Sequence, residues 1–175
     1  VTPLAQTLGP WHEFYALLGS ASATLVALLF VAASVGAGAF TVNRPAGLRM
    51  FLSASVVHFS STLAISLIVL APIAGFRLFG GLILLCGVFG LVYSGMAWHG
   101  TVRGGFSAKI DLEDRIWYAV LPAVAYLFAT GAGVALILRL AQGCTVLAVA
   151  AAGLLVAGIH NAWDITIWSL MRRRE

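Results

Sequence analysis

Polar residues thin out after Glu13, and five long apolar stretches follow: Phe14–Phe40, Arg49–Ala74, Leu78–Trp98, Trp117–Leu138 and Cys144–Leu170. Each is long enough to cross a hydrocarbon core about 30 Å thick, for which roughly 20 residues of helix suffice. The runs are continuously apolar and do not alternate at every second residue, which argues for helices and against a strand barrel. The connections are short, so successive helices are expected to pack as antiparallel neighbours. Only His99–Asp114 has any length; it is Gly-rich and charged, and Asp111 suits the N-cap of a helix starting near Leu112. No room remains for a second, soluble domain. The expectation is an all-α, polytopic bundle of five transmembrane helices forming a single membrane domain over residues 1–175.

Composition sharpens that picture. Of 175 residues, 61% are hydrophobic and 9% charged, with a mean hydropathy of +1.01. A soluble domain of this size carries about a quarter charged residues, so this chain cannot build a water-facing surface. The expected first partner is the lipid bilayer.

The basic residues set the expected topology. Eight of the ten, namely Arg44, Arg49, Arg103, Lys109, Arg115, Arg172, Arg173 and Arg174, fall on one side of a five-span arrangement. Arg77 and Arg139 fall on the other. Positive charge is retained on the cytoplasmic face, which places the C-terminus inside and the N-terminus outside. The net charge of +4 is therefore read as topology, with no nucleic-acid partner. The first helix is expected to begin after Pro10, and it lacks the basic leader of a signal peptide. Trp11, Trp98, Trp117 and Trp168 near span ends suit interfacial anchoring, and Arg139 suits snorkelling at the outer rim. Cys86 and Cys144 show no ligand spacing and are read as small packing residues.

Helices in lipid associate through close backbone approach, so small residues at four-residue spacing mark contacts. Such rows are Gly19, Ala23 and Ala27 on the first span, Cys86, Gly90 and Ser94 on the third, and Ala125, Ala129 and Gly133 on the fourth. Pro72 is expected to end the second span and Pro122 to bend the fourth near its start.

Against this background the segment Gly158–Thr166 stands out, because His160, Asn161 and Asp164 lie within five residues of one another. Ionisable residues within a span cost a few kcal/mol and face the bundle interior, and His58 on the second span is another. At about 1.5 Å per residue from the basic anchors, His58 lies about 13 Å deep, Asp164 about 12 Å, and Asn161 and Tyr126 about 16 Å. Ser34, Tyr93 and Ser94 fall in the same inner half. A polar layer in the cytoplasmic half, supplied by all five helices, is therefore expected.

Two readings of that layer are open. In one, Asp164 pairs with His58 or a tyrosine and fixes helix register. In the other, His58, Asp164, His160, Asn161, Tyr126 and Ser94 line a hydrated path for an ion, a proton or a small solute, with His58 and Asp164 as a proton-sensitive pair. The second makes the protein a small channel or transporter-like protein, expected as a homo-oligomer or within a larger membrane complex, for which an accessory or scaffold subunit is the alternative. No cofactor motif is present. A metal remains an option, because His58, His160 and Asp164 form a two-His, one-carboxylate set, and a membrane metalloenzyme is the third reading. Haem would need His58 and His160 face to face. Ser60 and Ser61 near His58 sit in no nucleophile motif, and His12, Glu13 and His99 are read as interfacial.

The stretches WHEFYALLGSASATLVALLFVAASVG, SASVVHFSSTLAISLIVLAP, DRIWYAVLPAVAYL and GIHNAWDITIW together resemble a family of small bacterial inner-membrane proteins. The resemblance runs through most of the chain and implies a bacterial inner-membrane location and a complete, single-domain protein. It places Trp11, Phe14, Tyr15, Thr24, His58, Asn161, Trp163 and Asp164 within shared motifs and brings no activity with it.

Overall fold

The computed structural model describes residues 3–37, 46–103 and 116–171, and the side chains of 3–34, 54–99 and 116–164. A short helix α1 (Pro3–Leu8) passes through a 3₁₀ turn (Gly9–Trp11) into α2 (His12–Ala37). There follow α3 (Ala46–Leu70), α4 (Phe76–Arg103), α5 (Leu121–Ile137) and α6 (Gln142–Met171). Among the described residues there is no strand. Four helical stretches are long and apolar enough to cross a membrane: Pro3–Ser34, Phe76–His99, Ile116–Ile137 and Gln142–Asp164. In α3 the described apolar part is the shorter Ala54–Leu70. Large apolar side chains such as Leu17, Phe30, Leu85 and Phe89 point outward, which suits a lipid surround.

The breaks fall where backbone chemistry requires them. Helix α3 ends at Leu70, two residues before Pro72, whose nitrogen cannot donate. Pro10 sits in the first turn of the 3₁₀ segment, where no donor is needed, so the helical path runs on from α1 and Leu4 and Leu8 are buried. The expected bend at Pro122 takes a definite form: a π-helical segment, Ile116–Val120, precedes α5 and absorbs the proline one turn later. Helix α5 ends with Arg139 in the left-handed conformation at φ 62°. Arg139 N–H donates to Leu136 O at 3.0 Å and Leu140 N–H to Ala135 O at 2.8 Å, the paired closure of a Schellman end.

The most extensive helix contact is between α4 and α5, followed by α5 with α6, α2 with α3, and α3 with α6; α3 and α4 touch more lightly. Helices α3 to α6 thus close a ring, with α2 laid against α3 from outside. Glycine makes the α4–α5 approach possible: a methyl on Gly133 would meet the Leu84 backbone, and one on Gly80 the backbone at Gly133 and Ile137. Of the expected rows, Gly90, Ala125, Ala129 and Gly133 are buried in contacts, whereas Ala23 and Ala27 face outward because only one side of α2 meets α3. Asp111, Arg44, Lys109, Arg115 and Arg172–Arg174 lie outside the described residues, as do the side chains of Arg49, Arg103 and Trp168.

Candidate functional site

Three helices place the innermost polar group. Helix α3 carries Ser55, His58, Ser61 and Thr62, α5 carries Tyr126, and α6 carries Asn161. His58, Tyr126 and Asn161 are 1%, 0% and 0% exposed. Tyr126 Oη lies 3.1 Å from His58 Nδ1 and 3.0 Å from Ser61 Oγ. Thr62 Oγ1 donates to His58 O at 3.0 Å and reaches Ala151 O on α6 at 3.4 Å. Gly90 on α4 gives the Tyr126 ring its place, since a methyl there would overlap it.

A single phenol proton limits this network. If Tyr126 donates to His58 Nδ1, the imidazole proton sits on Nε2; if Nδ1–H donates instead, Nε2 is a bare acceptor and Tyr126 turns its proton to Ser61. In both cases Nε2 is uncommitted, and it is buried without a hydrogen-bond partner among the described residues. The same holds for both amide atoms of Asn161 and for Ser55 Oγ. Antiparallel packing of α3 on α6, fixed by Phe59 against Gly158, puts Ser55 and Asn161 one turn nearer the N-terminal end of α3 and the C-terminal end of α6. Buried polar atoms are almost always satisfied, commonly by ordered water, so this group of open donors and acceptors is suited to hold water or a proton.

A second group lies nearer the surface. Trp117, in the π-helical segment, stacks flat on His160 with ring centroids 4.0 Å apart and planes 5° from parallel. His160 Nδ1 is 3.3 Å from Asp164 Oδ2, an ion-pair distance off the line of a good hydrogen bond. Tyr118 Oη donates to Asp164 Oδ2 at 3.4 Å and approaches Asn161 O at 3.5 Å. His160 and Asp164 are about a quarter and a third exposed, at 27% and 36%. This cluster is therefore partly exposed, whereas the Asn161 side chain beside it is fully buried.

The expected layer is thus divided. His58 does not pair with Asp164: His58 bonds Tyr126, whereas Asp164 meets Tyr118 and His160, one turn back on the same face of α6. Nor do His58, His160 and Asp164 assemble a metal set, for no three His, Cys, Asp or Glu side chains converge among the described residues. His58 and His160 are likewise not face to face, since one tilts on Tyr126 and the other stacks on Trp117. Ser94 lies apart, in an open groove of about 410 Å³ between α4 and α5 lined by Leu91, Gly95, Trp98, Ala119 and Ala123. Ser34 is exposed and bonds back to Phe30 O at 2.8 Å. The hydrogen bonds of the layer run among α3, α5 with its π-helical lead-in, and α6, and Tyr93 of α4 lies near Tyr126. Tyr118 and Ser55 are not singled out by the residue pattern, which marks Trp117 only as an interfacial anchor and Ser61 only as a serine outside any nucleophile motif. The structure sets Trp117 on His160, Tyr118 on Asp164 and Ser61 on Tyr126. Cys86 and Cys144 are free thiols within the packing, and His12, Glu13 and His99 are exposed.

No known family model, curated protein or solved structure matches the chain.

Proposed function

We propose that this chain is a bacterial inner-membrane protein that conducts protons, alone or coupled to a small solute. It crosses the membrane five times, with its N-terminus outside and its C-terminus inside. Helix α3 supplies the fifth span: its 25 residues reach about 37 Å, and the short break at Pro72 turns the chain straight back into α4. The positive-inside distribution then sets His160 and Asp164 at a cytoplasmic mouth.

One observation carries the proposal. His58 is held by Tyr126 through Nδ1 at 3.1 Å while Nε2 stays buried and uncommitted. An imidazole fixed at one nitrogen and open at the other can take up a proton from one water at the open nitrogen and release it there to another. The compact interior suits a proton better than a hydrated ion. Asp164 and His160 gather protons at the mouth, and Asn161 with its waters links them to His58. Purified protein in liposomes loaded with a pH-sensitive dye tests this under a potassium diffusion potential. Wild type acidifies or alkalises the lumen according to the sign of the potential, and His58→Leu does not; equal fluxes from both would remove His58 from the path.

A further inference from the structure

The sequence leaves the outer half of the bundle polar only in scattered hydroxyls, yet several of these are the most deeply buried groups in the fold. Ser22 on α2 is 0% exposed, Ser66 on α3 is 1% and Tyr15 on α2 is 1%. None of their three oxygens has a hydrogen-bond partner among the described residues. This is not the habit of hydroxyls in these helices. Thr24, Ser34, Thr62 and Thr130 each donate to the carbonyl four residues back, at 2.8 to 3.0 Å.

Their positions form a row. Ser66 is in contact range of Gly19, where an added Cβ would lie 2.9 Å from Ser66 Cβ. With α2 antiparallel to α3, that contact puts Ser22 between the levels of Ser66 and Thr62, and Tyr15 level with Leu70. Along α3 the buried polar positions Ser55, His58, Thr62 and Ser66 then follow one another at single-turn intervals. From His58 onward each four-residue step advances about 400°, so the row turns about 80° around α3 between His58 and Ser66. It passes from the α3–α5–α6 junction at His58 to the α2–α3 seam at Ser66. From Ser55 to the level of Tyr15 it covers about 22 Å of a hydrocarbon core about 30 Å thick.

We infer that this winding seam binds a file of water molecules and forms the outer limb of the path that begins at His58, with Thr62, Ser22, Ser66 and Tyr15 as its polar lining. The inference rests on the proton-conduction reading and adds the route and the outlet. Each water or hydroxyl accepts a proton from the inner side as it passes one outward, so no side chain in the limb changes its net protonation. Apolar residues at the same depth, such as Ile65, stay outside the seam.

Silver-ion reactivity of introduced cysteines tests the seam, because thiols ionise and react where water reaches them and stay inert in apolar packing. In a Cys86→Ser, Cys144→Ser background, Ser66→Cys and Ser22→Cys are compared with Ile65→Cys as the dry control and Ala74→Cys as the exposed one. Monodisperse elution in detergent qualifies each variant, and two seam positions guard against one failing to fold. Both seam thiols are expected to react at least about tenfold faster than Ile65→Cys. Seam thiols as inert as Ile65→Cys would overturn the inference even if proton flux is present. Reactive seam thiols without flux would uphold the wet seam and defeat proton conduction instead.

Discussion

Tyr126 Oη sits between His58 Nδ1, 3.1 Å away, and Ser61 Oγ, 3.0 Å away, and so joins α5 to two successive turns of α3. The phenol holds the histidine ring at Nδ1 and leaves Nε2 without a hydrogen-bond partner among the described residues. Removing the hydroxyl in Tyr126→Phe leaves His58 Nδ1 buried and unpaired. That should lower stability by about 1–3 kcal/mol, read as a drop in the thermal unfolding midpoint in detergent. Proton flux should fall as well, since the imidazole loses its orientation.

Gly90 should be nearly as sensitive as Tyr126 itself. A methyl at Gly90 overlaps the Tyr126 ring, whereas Gly95, on the same helix, has open space around it. Gly90→Ala is expected to cost about 1–3 kcal/mol through overpacking, with Gly95→Ala close to wild type. Thermal unfolding of the two variants side by side checks this, and equal midpoints would contradict the packing described.

At the mouth, charge should matter to function more than to stability. His160 and Asp164 are 27% and 36% exposed, and a pair open to solvent contributes less than about 1 kcal/mol. Asp164→Asn should therefore unfold near the wild-type temperature while slowing proton entry from the inner side. Flux measured in both directions across oriented vesicles separates this from a general loss of activity.

Arg139 offers a purely structural check. Its φ of 62° puts a side chain in the left-handed region, where L-residues other than glycine are disfavoured by about 1 kcal/mol or more. Arg139→Gly should raise stability by about 1 kcal/mol at that helix end, and Arg139→Ala should not. Unfolding midpoints of the two variants decide it.

Much of the fold is legible in the sequence, because long apolar runs and prolines act locally. The helix end before Pro72 and the distortion before Pro122 follow from a missing N–H and a ring clash at the residues concerned. What the sequence does not disclose is how each helix is rotated about its axis. These helices are apolar on nearly every side, so no hydrophobic face tells which way His58 points. The buried face is marked instead by small and polar residues, and those of α2 illustrate the ambiguity: Gly19 and Ser22 face α3, while Ala23, Thr24 and Ala27 face outward. For the same reason the spacing of His160 and Asp164 places them on one face without showing that Trp117 and Tyr118, brought there by the π-helical segment, are their neighbours.

The central claim is that His58 Nε2 takes up and releases a proton while Nδ1 stays bonded to Tyr126. Solid-state nitrogen NMR of histidine-labelled protein in bilayers measures this directly, with the His58 signals assigned by difference from His58→Gln. The account predicts a His58 imidazole that passes from neutral to doubly protonated as pH falls within the folded range, with its Nδ1 signal still shifted by the Tyr126 hydrogen bond. A His58 ring that remains in a single neutral tautomer at every pH where the protein stays folded would contradict it.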